Sequence, residues 1–273
     1  MKKRPIPFNI FELFSAMICI LVVAFIASAI LAIILKGVPS VAEAVRSEEI
    51  QFSIRLSLFT ASISTVLCLF LSIPTAYTLT RSASPFRKLA QIIIELPLSM
   101  PYLVLGLGLL IIFSTDFGKA LKEMGFRVIF DRNGIIVAQT IVNLPYAIRL
   151  IKTAFLEIDE RLEYIAGLLG ASKWKRFLSI VLPLSRNAII SAVILVWSRG
   201  LGEFGATLML VGATRMKTET LPTSIYLNMA TGGIGEAMAS AIIILSISFI
   251  SLFITSRLEK RKSDISRMKD VAV

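Results

Sequence analysis

Residues 13–35 read LFSAMICILVVAFIASAILAIIL, 23 positions without a single charged side chain. Wound as an α-helix at about 1.5 Å per residue, this run exceeds the ~30 Å thickness of a bilayer's hydrocarbon core. Five further apolar stretches follow: 56–80, 96–115, 134–156, 187–213 and 237–256. The fourth is uncharged only over Gly134 to Ile148 and must borrow Leu150 to Leu156 or tilt. The fifth is interrupted by Arg199 and Glu203. Six spans, all α-helical, are therefore expected in one transmembrane domain covering residues 1–273. The alternative for the first span is a secretory signal, because Lys2, Lys3 and Arg4 precede it and Ala27-Ser28-Ala29 resembles a cleavage site. The apolar run continues to Leu35, too long for a signal core, and is read as a span.

The composition agrees. Of 273 residues, 56% are hydrophobic and 17% charged, with mean hydropathy +0.81, whereas a soluble domain carries about a quarter charged residues. A disordered chain, a nucleic-acid-binding domain and most soluble enzymes are excluded. The net charge of +11 sits at the ends of apolar segments, where topology explains it better than a nucleic-acid partner does. Lys and Arg number 19 on the side shared by both termini and 9 on the other, with Arg199 inside span five, so the positive-inside bias puts both termini in the cytoplasm. Cys19 and Cys68 lie within apolar runs and imply no disulfide framework. Histidine is absent, and no G-x-x-x-x-G-K-[ST] phosphate loop occurs. No catalytic, cofactor or metal site is read, so any energy must come from a gradient or from a partner.

The cytoplasmic stretch 157–186 holds the most information. Ile158, Leu162, Ile165 and Leu169 recur at helical spacing, with Asp159 and Glu160 in the first turn where they favour the helix dipole. Gly170 stands where a C-terminal glycine is expected, and Ser172 is placed to cap a second short helix bearing Lys173, Trp174, Lys175 and Arg176. Leu182-Pro183 should break it before span five rises. Periodicity alone allows a second reading, an amphipathic segment resting on the lipid headgroups.

The run Glu163-Tyr-Ile-Ala-Gly-Leu-Leu-Gly170-Ala171-Ser172, followed by Ile180-Val-Leu182-Pro183, resembles the EAA loop of binding-protein-dependent ABC importer permeases. Gly170, Ile180, Leu182 and Pro183 keep the family register and Ala166 matches its second alanine. Tyr164 and Ile165 occupy the places of the family's glutamate and first alanine, with Glu163 one position early. The stretch from Arg199 through Gly202-Glu203-Phe204-Gly205-Ala206-Thr207, then Thr220-Leu-Pro222, is similar to molybdate/tungstate and sulfate permeases. So is Glu95-Leu-Pro97-Leu-Ser-Met-Pro101 with Gly106 and Gly108. The resemblance implies a type I ABC importer permease fold in a prokaryotic cell membrane. It also implies a homodimer, two cytoplasmic ATPase subunits docked on the elbows, and an extracytoplasmic oxyanion-binding protein. In that arrangement Ile165, Ala166 and Leu169 anchor the elbow, Glu163 and Lys173 flank it, and Gly170, Ala171, Ser172, Leu182 and Pro183 shape it.

Arg199 and Glu203, four apart, are expected to share a helix face at membrane depth. Two readings stand: a neutralising pair that locks two spans, or a face lining the translocation path together with Gly202, Gly205 and Thr207. The glycines favour close helix packing over substrate contact, and Pro97 and Pro101 should kink span three. Against the molybdate/tungstate importer stand a sulfate/thiosulfate permease, a gradient-driven secondary transporter and a membrane enzyme. A secondary transporter should show paired repeats and embedded ion ligands. A membrane enzyme lacks any nucleophile–base constellation here.

Overall fold

The computed structural model describes residues 10–82 and 85–271, with 258–271 described by backbone only; Lys2, Lys3 and Arg4 lie outside the described residues. Twelve α-helices follow one another among them: α1 (Ile10–Ala44), α2 (Glu48–Arg81), α3 (Arg87–Glu95), α4 (Tyr102–Ser114), α5 (Asp116–Glu123), α6 (Arg132–Leu156), α7 (Glu160–Leu168), α8 (Lys173–Arg176), α9 (Leu182–Leu201), α10 (Gly205–Val211), α11 (Leu221–Ala230) and α12 (Ile234–Val271). Five stretches are long and apolar enough to cross a membrane: α1, α2, α6, the α8–α9 continuum Lys173–Leu201, and α12 over Ile234–Arg257. The sixth is a broken pair, Arg87–Leu98 and Tyr102–Ser114, bent by 110°.

Two expected spans therefore differ from simple helices. Span three does not run straight from 96 to 115. Pro97 sits in a 3-10 turn, Leu96–Leu98, and Pro101 begins α4, so two rings that cannot donate a backbone N–H fold the chain back on itself. With 13 residues, α4 covers only about 20 Å and cannot span a bilayer alone. Span five ends at Leu201 rather than 213, because the chain leaves helical geometry at Gly202 and restarts as the short α10. Pro183, by contrast, does not break its helix. A π-helical turn, Phe177–Val181, precedes it, with Leu182 N–H reaching Phe177 O five residues back. That wider turn makes room for the ring and for the carbonyl the proline leaves without a partner.

Inside a bilayer the lipid is as apolar as leucine, so helices associate through close packing and interhelical hydrogen bonds. The chain follows that rule. The buried face of α2, which packs on α6, α9 and α11, is built from small residues, Ser53, Ser57, Thr60, Ser64, Cys68 and Ser72. Their hydroxyls bond chiefly to carbonyls of their own helix, as Ser64 does to Ala61 O and Thr65 to Ala61 O, which lets two backbones approach without stranding polar groups. The Cys68 thiol reaches across to Thr140 O at 3.4 Å. Ser57 accepts the backbone N–H of Leu221 at 2.8 Å, seating the first turn of α11 on α2.

At the end of α2 remote from α7, Arg215 closes the loop between α10 and α11. It ion-pairs with Glu49 and donates to Asn228 Oδ1 at 3.0 Å, with Glu219 Oε1 at 3.8 Å. The short α10 lies across α4. A β-carbon on Gly106 would meet Ala206 Cα at 2.7 Å and its carbonyl oxygen at 2.8 Å, whereas one on Gly108 would meet nothing within 4 Å. The glycines of the Gly106-x-Gly108 pair thus have different duties. Gly106→Val should cost about 1–3 kcal/mol through overpacking against backbone that cannot yield. The expected outcome is a lowered thermal midpoint in detergent, with Gly108→Ala at the wild-type value; equal effects would contradict the α4–α10 crossing.

Candidate functional site

The elbow between α6 and α9 forms for local reasons. Asp159 caps α7 by accepting the Arg161 N–H at 2.9 Å, and Glu160 and Glu163 follow in the first turn. The helix ends in a Schellman arrangement: Gly170 N–H to Gly167 O at 3.0 Å and Ala171 N–H to Ala166 O at 2.9 Å, with Gly170 at φ +84°. Ser172 Oγ then accepts the Lys175 N–H at 3.3 Å and starts α8. The capping expected of Gly170 and Ser172 is present, and Gly170 is needed for its left-handed backbone because open space surrounds it.

What fixes this elbow to the membrane helices is a buried ion pair. Arg81, the last residue of α2, donates through Nε to Glu163 Oε1 at 2.6 Å and through Nη1 to Glu160 at 3.1 Å. Its Nη2 reaches Phe155 O and Ile158 O at 3.1 and 3.2 Å, the carbonyls where α6 ends. Tyr77 O–H adds a second hydrogen bond to the Glu163 carboxylate at 3.1 Å, and Arg176 Nη1 reaches the Glu163 carbonyl at 3.2 Å. The side chains of Arg81 and Glu163 are only 11% and 8% exposed. Four segments, α2, α6, α7 and α8, thus meet on one guanidinium–carboxylate pair. Glu163 accordingly does not flank the outer surface of the elbow as expected: it turns inward to Arg81, while Glu160 reaches the same guanidinium from an exposed position. Aromatic rings pack alongside, Tyr77 on Phe177 at 5.0 Å and Phe155 on Phe177 at 6.3 Å.

The opposite face of the elbow is apolar and open. Leu168 is 71% and Leu169 84% exposed, joined by Leu162, Tyr164 and Ile165, with Ala166 half-buried beneath and Lys173 at the edge. Ile158, first of the expected stripe, is instead buried in the core beside Ile151 and Val181, because it precedes the Asp159 cap and lies outside the helix. Adjacent exposed leucines and a tyrosine make this projection an apolar patch, a kind of surface that commonly marks an interaction site.

The second region is the buried polar seam where α4, α6, α9 and α10 meet. Arg199 and Glu203 do not share a helix face, since α9 ends between them, and they do not pair. The Arg199 guanidinium lies between the rings of Tyr102 and Tyr146, at 5.5 and 4.9 Å from their centroids, and Nη2 donates to Tyr102 O–H. Glu203 turns the other way and caps α10: Oε1 accepts the Ala206 N–H at 2.8 Å, and Oε2 accepts the Thr207 N–H at 3.1 Å and the Thr207 hydroxyl. The carboxylate is thereby held by helix N-terminal donors, which suit a negative charge. Gly205 allows α10 to approach Tyr102, where a β-carbon would stand 3.3 Å from Tyr102 Cβ. Gly202 is exposed at the end of α9, and Glu203 and Thr207 are buried.

Sequence reading missed Gln139 and Asn143 of α6. Gln139 Nε2 donates to Gly200 O at 3.0 Å, while Gln139 Oε1, both amide atoms of Asn143 and Arg199 Nε have no hydrogen-bond partner among the described residues. Two carboxamides four residues apart in an otherwise apolar span were the available signal. It also missed Arg81 as the partner of Glu163, since an arginine ending a span reads first as a topology charge.

Comparison with known proteins places these features. Residues 69–264 match the family described as binding-protein-dependent transport system inner membrane component. The molybdate/tungstate transport system permease protein of Thermococcus kodakarensis is 32% identical over 238 residues, 86% of this chain and 90% of that protein. The molybdenum transport system permease protein of Escherichia coli is 33% identical over 213 residues, 76% of this chain and 93% of its own. The sulfate transport system permease protein of Escherichia coli is 29% identical over 221 residues, 80% of each. Among solved structures, a chain of a bacterial alginate ABC transporter superposes with TM-score 0.68 at 18% identity, covering 91% of this chain and 94% of its own. A chain of the MetNI methionine ABC transporter gives 0.58 at 16%, covering 79% and 98%.

Removing Glu163 leaves the buried Arg81 with only the exposed Glu160 as a charged partner, at a cost of up to about 3–5 kcal/mol. Glu163→Ala should therefore unfold at lower denaturant than wild type in detergent, and pairing it with Arg81→Met should recover part of the loss. Single variants that lose less than about 1 kcal/mol, the worth of a surface pair, would contradict a buried latch.

Proposed function

This chain belongs to the binding-protein-dependent transport system inner membrane component family, as a multi-pass permease subunit of an ABC transporter without an ATPase site of its own, and we propose that it imports molybdate or tungstate. In this reading two copies form the pathway, two ATPase subunits dock on the elbows from the cytoplasm, and an external binding protein delivers the oxyanion. Both termini lie in the cytoplasm, in keeping with 19 basic residues on that side against 9 on the other.

The observation that carries the reading is the two-faced elbow. One face is tied to α2 and α6 by the Arg81–Glu163 pair, and the other presents Ile165, Leu168 and Leu169 outward. A load applied to the apolar face passes through a buried ion pair into two membrane helices, as ATP-driven transport requires. Ile165, Ala166 and Leu169 are the ATPase anchors, with Lys173 at the edge. Gly170, Ala171 and Ser172 hold the turn, and Leu182 and Pro183 lead into α9. Glu163 is assigned to the latch.

Along the pathway, Arg199 supplies a single positive charge beside Gly202, whose bare backbone gives room at the end of α9. Glu203, Gly205 and Thr207 support that surface from behind, the carboxylate being directed into α10 and away from the guanidinium. With one such cation from each copy, the pathway matches the charge of a divalent oxyanion. Relatives named for molybdate or molybdenum transport support the cargo, with 32% identity over 84–86% of this chain for two of them. Those named for sulfate transport match 72–80% of it at 29–32%, which makes sulfate the second reading.

Proteoliposomes holding the complex of this chain with its ATPase and binding protein should take up labelled molybdate and tungstate in an ATP-dependent, saturable way. A large excess of sulfate should leave that uptake intact; full competition by sulfate would move the cargo to the second reading. Replacing Leu169 with Asp removes an anchor whose burial is worth about 1.5–3 kcal/mol, so ATPase association should weaken roughly 10- to 100-fold. Gly170→Val forces a β-branched residue to positive φ and should lower uptake at matched membrane abundance. Unchanged ATPase co-purification and uptake in both variants would mean the elbow only rests on the headgroups.

A further inference from the structure

A crease runs between α2 and the start of α8, one end of it bordered by the Arg81–Glu163 latch and by Lys173. Its apolar half is a cavity of about 770 Å³ lined by Phe70, Leu71, Ile73, Pro74, Trp174 and Phe177. At Tyr77, Thr78 and Lys173 it runs into a second cavity of about 530 Å³ whose lining includes Arg81, Glu160, Glu163 and Arg176. The two cavities share those three residues, so they form one trough with a greasy end and a charged end.

The charged end has cation to spare. Arg81, Lys173 and Arg176 stand against Glu160 and Glu163, which leaves one positive charge beyond the balance. Among the described residues Lys173 makes no ion pair, and Arg176 Nε is buried without a hydrogen-bond partner. Lys175 follows on the same short helix. The greasy end opens outward, with Phe70 75% and Trp174 69% exposed, and tryptophan is the side chain that favours the level between acyl chains and headgroups.

We propose that this trough binds an anionic phospholipid, an acyl chain lying along Phe70, Pro74 and Phe177 and the phosphate at Lys173 and Arg176. The match is one of charge and shape together: an apolar channel along a membrane helix ending at three cations and two carboxylates, a net positive charge, fits an amphiphile with a negative head. A zwitterionic lipid fills the same channel but gains less from the cations. The bound lipid would buttress the elbow from the side opposite its ATPase-docking leucines.

The chain contains two tryptophans, Trp174 and Trp197, so Trp197→Phe leaves one reporter inside the trough. This variant is reconstituted as the full chain into phosphatidylcholine vesicles containing a minor fraction of either brominated phosphatidylglycerol or brominated phosphatidylcholine. Quenching of Trp174 should show phosphatidylglycerol enriched at the site over its bulk fraction, by roughly fivefold per cation engaged. Lys173→Gln should lower the enrichment about fivefold. Thr78→Phe, which fills the junction of the two cavities on an exposed face of α2, should abolish it without touching the charges. Equal quenching by the two brominated lipids would overturn the proposal, leaving ordinary lipid contact. Absence of quenching by both would overturn it too, showing the trough covered by protein such as a second copy. Enrichment unchanged by both substitutions would place any anionic lipid elsewhere. The readout is independent of transport, so it stands or falls apart from the assigned cargo.

Discussion

The pairing of Arg81 with Glu163 is the constraint on which the arrangement rests. A guanidinium shut away from water must be matched in charge and in hydrogen bonds, and here every arm has an acceptor: one carboxylate through Nε, another through Nη1, and through Nη2 the Phe155 carbonyl of α6 and the Ile158 carbonyl just beyond it. Those carbonyls flank the turn that joins α6 to α7. One side chain thus ends α2, closes α6 and holds α7. Because the interaction is desolvated and geometrically crowded, it has little freedom to slide, and the elbow becomes an extension of the spans rather than a loop between them.

From that fixed point the elbow's two faces acquire different chemistry. The inward face is polar and satisfied, while the outward face is apolar and unsatisfied, which is the reverse of a segment lying on headgroups with its leucines in lipid. The π-helical turn before Pro183 adds to the same end. It lets α8 and α9 run on as one 29-residue stretch, so the elbow leads into the membrane without a hinge at the proline. Around Arg199 and Glu203 the logic is one of separation. Arg199 is held by two tyrosine rings and Glu203 by the α10 amides, so a cation and an anion four residues apart do not cancel.

Much of this was legible in the sequence because it rests on local rules. Uncharged runs mark spans by length, Gly170 and Ser172 mark a turn and a cap, and the G-E-F-G-A-T stretch marks a family. The parts that were not legible depend on long-range geometry. Spacing of four places Arg199 and Glu203 on one face only if the helix continues, and whether it ends at Leu201 depends on how α10 crosses α4 at Gly106. Glu163 reads as a surface charge on a short helix until α2, 82 residues earlier, brings Arg81 to it. Pro183 reads as a breaker because a π-helical turn has no sequence signature. Gln139 and Asn143 were visible as two carboxamides in an apolar span, but their orphaned amide atoms appear only when α6 and α9 are packed together.

If the latch makes the elbow and α2 one body, their separation is the same throughout the transport cycle. Spin labels placed at Thr78 on α2 and Leu162 on α7, in the assembled transporter with Cys19 and Cys68 replaced by serine, measure that separation directly. The distance distribution should be superimposable in nucleotide-free and ATP-bound complexes, while a pair of labels at Leu162 in the two copies changes distance. A Thr78–Leu162 distance that shifts with nucleotide would show the elbow moving against α2, and the ion pair would not be the element that carries the motion.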